Sequence, residues 1–417
     1  MISTTFDGQP VFLLQEAPDW SQSVQSTHET LTEATASLSN REARRSYAGA
    51  LRSGLSFSTL AAEGVLRALQ GALRSVQDQA IACPFWPGLR SWSSRSTAPI
   101  QGGLKLVWKQ DWSAWDLYTD TEPGWPAEDD NWAPVLWGTL GDKSRLAGQN
   151  FLHCALAHVT LNLVEDGPAA WALQPVATAA TVGPIPPSGY DTAPRLLPVR
   201  PDLSTPPSQA ITLKVERTET GFRRQRPAEF YPQAPARTER LDFLLDGGGV
   251  GSLLAFLRDH AGRGSAFWWP SETAATQLTS AVAASDDTLF VTDVGLLAAG
   301  DYVALRGATM VFRRVIGVGV GTVSLHAIVG VDLSEFTLVT PLLLVRLEQP
   351  KVTLEWTHPE MARTSLSVRE VPAEYVPGAD ETVGETLGAL PTRCYLYDFT
   401  RDHGGVWLHD RFTSYES

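Results

Sequence analysis

The pattern of apolar and polar positions predicts a chain built mainly of short β-strands, with two amphipathic helices. Polar residues alternate with apolar or small ones over 24–37, 153–164 and 210–219. This alternation is typical of strands, because successive side chains of a strand point to opposite faces. Over 63–76 the apolar residues instead recur with a period of about 3.6, which predicts an amphipathic helix. A second helix-like run covers 250–260.

Each helix-like run belongs to a longer pattern that occurs twice. Both copies contain an arginine pair, a strand, a helix and an aromatic run that ends in proline. The first copy has Arg44-Arg45, Leu55-Ser56-Phe57 and Phe85-Trp86-Pro87. The second copy has Arg223-Arg224, Leu241-Asp242-Phe243 and Phe267-Trp268-Trp269-Pro270. The sequence therefore predicts an internal duplication.

These elements predict a mainly β protein of the α+β class, with two tandem copies of a β-sandwich or split-barrel-like unit. Each unit is expected to carry one amphipathic helix. The predicted division is a first unit at 1–88 and 151–180, a tryptophan-rich β insert at 89–150, a proline-rich linker at 181–208, a second unit at 209–273 and 340–373, a small β-barrel insert at 274–339, and an acidic linker with a C-terminal hairpin at 374–417. The linker is predicted because proline lacks the amide donor that a β-ladder needs.

Composition narrows the possible functions. The 14 tryptophans, 28 prolines and 34 glycines suit a β-rich fold with many turns. A net charge of −13 disfavours a nucleic-acid-binding surface as the primary function. Cys83, Cys154 and Cys394 lie far apart in the sequence and predict buried thiols rather than disulfides. The chain shows neither a signal peptide nor an apolar run of the ~20 residues that span a bilayer, so we expect a soluble protein made in a reducing cytoplasm.

Catalytic and cofactor motifs were sought without a convincing match. The run 246–252 is rich in glycine and precedes a helix, but it lacks the lysine of a phosphate-binding loop. A glycine-rich turn at a helix start explains it better. His403 and His409 could approach a metal with Asp402 or Asp410, although further ligands at suitable spacing are missing, and surface imidazoles are the alternative. We therefore expect no catalytic residue, cofactor or metal, and a protein that is not an enzyme.

Arginine and tryptophan instead indicate contact surfaces. Arginine forms bidentate pairs with carboxylates, so the two arginine pairs could meet acidic strips on neighbouring subunits. Trp86, Trp268 and Trp269 are expected to fill the cores of the two units. The other tryptophans of 112–132 are expected to be exposed, either as interface anchors or as a carbohydrate platform. The candidate interface residues are Arg44, Arg45, Arg223, Arg224, Trp112, Trp115, Trp125, Trp132, Tyr395, Tyr397 and Trp407.

Several of these segments together resemble a known family. The segments are Pro18-Asp19-Trp20-Ser21, the threonine-rich strand after it, the two aromatic runs, and the end of the chain from Tyr395-Leu396-Tyr397 to Ser414-Tyr415-Glu416. They look like parts of the distal tail and minor tail proteins of long, non-contractile-tailed bacteriophages and of gene transfer agents. The likeness covers the repeat cores and the C-terminus, and the inserts 89–150 and 274–330 are less familiar.

The resemblance implies a ring at the end of the tail tube, which joins the tube to the baseplate hub and the receptor-binding proteins. The implied partners are further copies of the chain, the tail tube protein and the hub, with no membrane and no nucleic acid as primary partner. The implied location is the virion tail tip, assembled in the cytoplasm of the host bacterium. A simple distal tail protein carries one core per chain, whereas two are predicted here, so rings of six or three copies and a hub component all stay open. A β-rich carbohydrate-binding protein is the alternative from another class.

Overall fold

The computed structural model describes most of the predicted strands and one of the two predicted helices. The described residues are 2–14, 16–30, 32–36, 42–46, 51–62, 80–91, 99–101, 103–108, 115–119, 131–140, 156–167, 171–176, 196–197, 199–202, 204–212, 236–259, 266–295, 297–306, 310–370, 399–401 and 407–409. The helix predicted over 63–76 lies outside them.

The protein is mainly β, as the sequence predicts. The strands of the first half are β1 Ile2–Phe6, β2 Gln9–Leu13, β3 Val24–Glu29, β4 Thr32–Ala36, β5 Glu42–Ser46, β6 Arg52–Ala62, β7 Ala80–Pro84, β8 Arg90–Ser91, β9 Ile100–Gln101, β10 Leu104–Trp108, β11 Trp115–Thr119, β12 Asn131–Leu140, β13 Leu156–Glu165 and β14 Gln174–Pro175. Those of the second half are β15 Ser208–Thr212, β16 Ala236–Asp246, β17 Phe267–Pro270, β18 Thr276–Gln277, β19 Thr288–Phe290, β20 Tyr302–Arg306, β21 Met310–Gly319, β22 Thr322–Leu325, β23 Leu338–Leu347, β24 Lys351–His358, β25 Met361–Glu370, β26 Phe399–Arg401 and β27 Trp407–His409. The helix α1 spans Gly247–Asp259, and two short 3-10 turns span Trp86–Gly88 and Glu272–Ala274.

The strand pairing places β12 at the centre of the first unit, although the predicted division assigns residues 131–140 to the insert 89–150. β12 pairs with a different strand along each part of its length. Its first residues pair with β8 and β10, its middle with β7 and its last residues with β13. β13 then pairs with β6, and β6 pairs with β3. β2 runs parallel to β7, and β11 pairs with the outer side of β10. All pairs except β2–β7 are antiparallel.

The second unit repeats this arrangement strand for strand around β23. The first residues of β23 pair with β18 and β20, its middle pairs with β17 and its last residues pair with β25. β25 pairs with β16, β16 with β15, and β20 with β21. The residue registers correspond as well. The β6–β13 and β16–β25 ladders each have nine residue pairs. The β12–β13 ladder begins with Gly138 opposite Glu165, and the β23–β25 ladder begins in the same way with Val345 opposite Glu370.

The correspondence continues in the chain that precedes each unit. Asp19 donates its backbone N–H to a carbonyl of β6, and Asp202 donates to a carbonyl of β16, both at 2.7 Å. The carboxylate of Asp19 accepts from the N–H of Ser21 and that of Asp202 from the N–H of Ser204, both at 3.0 Å. The turn at Asp202, which lies within the predicted linker 181–208, therefore makes the same two hydrogen bonds as the turn at Asp19.

The structure corrects the residue alignment of the two copies. The sequence pattern matches Leu55-Ser56-Phe57 with Leu241-Asp242-Phe243. In the structure Phe57 faces Leu161, and the corresponding pair is Leu241 with Leu366. The sequence match is therefore displaced by two residues along the strand, which is one period of the side-chain alternation. Such a displacement keeps every residue on the same face, so apolar alternation alone does not reveal it.

The two units are joined by a β-ladder. β3 of the first unit pairs with β6 along one edge and with β24 of the second unit along the other. β24 also pairs with β25, so a continuous set of ladders links the units. We call the β3–β24 ladder the junction.

The largest apolar core contains residues of both units. Its large buried side chains include Phe57, Phe85, Phe243, Trp269 and Trp356. A separate core lies within 278–339, in the second insert, and is built mainly of valine and leucine. A third, smaller cluster surrounds Trp268. The burial of Trp86, Trp268 and Trp269 confirms the prediction that they fill cores.

The glycine-rich run forms the first turn of α1. The Asp246 carboxylate accepts the N–H of Gly249 at 2.7 Å and so caps the helix start, where backbone donors lack a partner within the helix. One further glycine permits a close approach. A Cβ on Gly251 would lie 2.5 Å from the carbonyl oxygen of Val176 and 3.2 Å from that of Pro99. The absence of a side chain therefore lets α1 pack onto the β9–β14 pair.

Candidate functional site

Of the residues predicted to form an interface, only Trp132 has a described side chain, and the expectation that it is exposed is wrong. Trp132 lies in β12 with 0% of its surface exposed. It faces Arg90 and Val107 on the two strands that flank the start of β12. Because it lies on the central strand of the first unit, it belongs to the core and cannot serve as a contact residue on the surface.

The other predicted contact residues are only partly located. Arg44 and Arg45 lie in β5, which pairs with β4 in a hairpin, and Trp115 faces Trp108 in the β10–β11 pair. Trp407 lies in β27, which pairs with β26 and confirms the predicted C-terminal hairpin. Outside the described residues lie Arg223, Arg224, Trp112, Trp125, Tyr395 and Tyr397, as do His403, Asp402 and Asp410 of the weighed metal site.

A buried polar network crosses the junction. His28 lies in β3 with its Nε2 3.2 Å from the hydroxyl of Ser26 and its Nδ1 3.3 Å from the hydroxyl of Ser53. Trp356, in β24 of the second unit, donates its indole N–H to the same Ser26 hydroxyl at 2.8 Å. The network therefore fastens the second unit to the first by side chains as well as by the backbone ladder.

The network continues into the first unit through Glu165. One carboxylate oxygen accepts the N–H of Ser53 at 2.8 Å, and the other accepts the N–H of Leu173 at 2.7 Å. Burial raises the pKa of Glu165, while these backbone hydrogen bonds act in the opposite direction. Burial also lowers the pKa of His28 from 6.5 to about 3, so its ring is neutral at ordinary pH.

A second buried polar cluster lies in the second unit around Glu239. Its carboxylate accepts hydrogen bonds from the Trp269 indole at 2.9 Å, the Thr273 hydroxyl at 2.6 Å and the Ser271 hydroxyl. Next to it Glu272 forms a 2.5 Å ion pair with Arg306. Burial raises the pKa of Glu272, Arg306 lowers it, and the nearby carboxylate of Glu239 raises it further.

The first unit has apolar residues where this cluster lies. The position of Glu239 is taken by Leu55, and that of Ser271 by Phe85, which is fully buried. The backbone is nevertheless the same, because the N–H of Phe85 and of Ser271 each donate to a proline carbonyl of the central strand, at 2.7 and 2.8 Å. The two units therefore share a scaffold and differ in core chemistry.

Sequence reasoning missed both polar clusters. The sequence signal that could have found them is a polar residue at a position that the strand alternation assigns to the buried face, such as His28 within 24–37. Such a residue indicates a buried polar group only once the strand across from it is known. The chemistry of both clusters is internal, since their side chains bind one another.

Other chemical features are few in the part of the chain that the structure describes. That part contains no group of three or more His, Cys, Asp or Glu side chains arranged to hold a metal ion. The thiol of Cys83 is buried, and burial raises its pKa. No helix within the described ranges is long and apolar enough to cross a membrane.

One exposed strand edge lies in the second unit. β15 pairs with β16 along one side, and no other described strand pairs with its second side. Ser208, Gln209 and Ala210 are exposed, and Ile211 retains 61% of its surface. An exposed edge with an apolar side chain is a site where another strand can add.

Two comparisons with known proteins found no match, so the functional argument rests on the sequence and on the geometry described above. No protein-family model matches the chain, and none of the curated proteins matches it.

Proposed function

We propose that this protein is a structural component of a bacteriophage tail tip, acting as a distal tail protein that forms a ring between the tail tube and the baseplate hub. The observation that carries the proposal is the duplication of one β-unit with the same strand pairing and register in both copies. Two equivalent units joined through their sheets are the type of building block from which a closed ring can be made. The proposal also draws on the sequence resemblance of the repeat cores and the C-terminus to tail-tip proteins.

The chemistry of the described core supports an assembly role. The buried ionisable groups Glu165, Glu239 and His28 are bound by partners inside the fold. These contacts specify how strands and units pack, which is a common role of satisfied polar groups in a core. Subunits of permanent assemblies bury interfaces of more than ~2,000 Å², and two tandem units provide wide surfaces for this.

A test of the proposal is the mass and shape of the purified chain across a concentration series. Mass photometry with negative-stain imaging is expected to give closed rings of three or six chains. The matched measurement is binding of the same sample to a glycan array. A chain that stays monomeric at every concentration, and that binds glycans, would contradict the proposal in favour of a carbohydrate-binding protein.

A further inference from the structure

A small cleft opens on the second unit between two β-ladders that share β25. The β24–β25 ladder stops at Glu355 opposite Arg363, and the β23–β25 ladder starts at Leu347 opposite Val368. The first residues of β24, 351–354, pair with β3 at the junction but are not part of a ladder with β25. The cleft lies in this gap, while β16 continues along the other side of β25.

The cleft has an apolar floor and a polar rim. Its floor consists of the buried side chains Leu347, Val352 and Leu366, and its rim of Arg240, Gln349, Lys351, Ser365 and Ser367. Its volume is about 150 Å³. Pockets that enclose a whole drug-sized ligand measure roughly 300–1,000 Å³. A cleft of this size therefore accommodates a small ion or the terminal group of a larger molecule.

The strand pairing places the two cations of the rim on the same face of the sheet. Arg240 lies opposite Ser367 in the β16–β25 ladder. Lys351 is four residues from Glu355, which lies opposite Arg363, and Arg363 is four residues from Ser367 along β25. Side chains two or four residues apart on a strand share a face, as do residues directly opposite each other. Arg240 and Lys351 therefore approach the cleft from the same side.

A hydrogen bond holds Arg240 beside the cleft. Its Nη2 donates to the hydroxyl of Ser365 at 3.2 Å, and that hydroxyl donates in turn to the carboxylate of Asp242. A guanidinium has five N–H donors in a fixed plane. Arg240 is therefore positioned by one donor and keeps others for a ligand.

The positive charge of the rim is not paired within the described part of the chain. Neither Arg240 nor Lys351 forms an ion pair with a carboxylate there. Asp242, Glu29 and Glu348 are close along the strands, but none of them lines the cleft. Two cations on one rim repel each other and attract an anion, here on a chain whose net charge is −13.

The same place in the first unit has no arginine. Ser56 occupies the position of Arg240, since it lies opposite Asn162 as Arg240 lies opposite Ser367. The shared scaffold therefore forms without a cation at this position. The charge of Arg240 is a property of the surface of the second unit and is not required by the ladder.

We infer that this cleft binds the phosphate group of a small phosphate monoester. Arginine binds phosphate with two parallel hydrogen bonds, and lysine adds a compact positive charge. A phosphate monoester carries close to two negative charges near pH 7, which matches two cations better than the single charge of a carboxylate does. Gln349 and Ser367 add neutral donors on the rim. The site is a ligand site in addition to the proposed assembly role and does not depend on it.

The first test is calorimetric titration of the full-length chain at low ionic strength. Glucose 6-phosphate is expected to bind, and glucose, which lacks the phosphate, is expected not to bind. Acetate should bind more weakly than glucose 6-phosphate, because it carries one charge. A chain that does not bind glucose 6-phosphate, or that binds acetate equally well, would overturn the inference.

The second test locates the binding site with charge-matched variants. Arg240→Gln and Lys351→Gln should each raise the Kd for glucose 6-phosphate about tenfold or more, because each removes a charged donor from the ligand. Arg363→Gln is the matched control, since Arg363 is exposed on the same face and carries the same charge but does not line the cleft. The control should bind as the unchanged chain does.

Circular dichroism of the three variants should match that of the unchanged chain, which shows that each folds. An equal loss of affinity in all three would indicate diffuse attraction to a basic surface and would overturn the cleft as the site. None of these outcomes bears on ring formation, which is read from particle mass, so this inference and the tail-tip proposal can fail separately.

Discussion

The buried imidazole of His28 gives this protein a pH-dependent stability whose sign and size follow from the structure. Its pKa is about 3 in the folded chain, because burial disfavours the charged ring, against 6.5 in the unfolded chain. Between these two values the unfolded chain binds the additional proton, so the free energy of unfolding falls as the pH is lowered. The contribution of the neutral ring is fully present above pH ~6.5 and is lost progressively below it.

The magnitude follows from the unfolded pKa, since the folded ring stays neutral down to about pH 3. Between pH 7.5 and pH 5, protonation of this imidazole in the unfolded chain lowers the free energy of unfolding by about 2 kcal/mol. This value is the proton uptake integrated over the pH range, about 1.5 pH units, at 1.36 kcal/mol per unit. We therefore expect His28→Gln to remove about 2 kcal/mol from the difference in unfolding free energy between these pH values. Glutamine can hydrogen bond to the same serines but does not titrate.

The assay is urea unfolding at pH 7.5 and pH 5, followed by tryptophan fluorescence. His358→Gln is the control, because His358 is exposed and its Nδ1 accepts a hydrogen bond from the backbone N–H of Glu360. This control should retain the pH dependence of the unchanged chain. If His28→Gln retains it as well, the ring of His28 is protonated or solvent-accessible in the folded protein, and the reasoning from burial is refuted.

Two further predictions concern close packing and the Glu239 cluster. Gly251→Ala should destabilise the chain by about 1–3 kcal/mol, because its Cβ would lie 2.5 Å from a backbone carbonyl oxygen; Gly248→Ala, whose nearest neighbour is 3.6 Å away, should be neutral or stabilising in the same thermal unfolding experiment. Glu239→Gln should cost about 1–3 kcal/mol in urea unfolding, because an amide has one acceptor oxygen where the carboxylate has two. If that oxygen accepts the indole N–H of Trp269, the amide NH2 faces the hydroxyls of Ser271 and Thr273, which donate to the carboxylate in the unchanged chain. The exposed Glu335→Gln is the control, and equal stability of the two variants would contradict the structural account of the cluster.

Local sequence patterns predicted much of the fold. Alternation indicated β3, β4 and β13, because burying one face of a strand imposes a period of two on the sequence. The glycine-rich run marked the start of α1, where Asp246 caps the helix. The sequence also predicted two copies of one pattern, but the aromatic runs on which it relied are not equivalent in the structure, where Pro84 corresponds to Pro270 and Phe85 to Ser271. These features depend on neighbouring residues, and a sequence displays them directly.

Only the tertiary structure decided the long-range features. The registers of the two copies, the burial of Trp132 and the neutral ring of His28 all depend on which strand lies opposite, and strand partners come from distant parts of the chain. The same holds for β3 and β15, two equivalent strands: β24 pairs with the second edge of β3, whereas no described strand pairs with the second edge of β15. Local alternation describes the faces of a strand, whereas the occupant of its edge is set by the topology of the whole sheet.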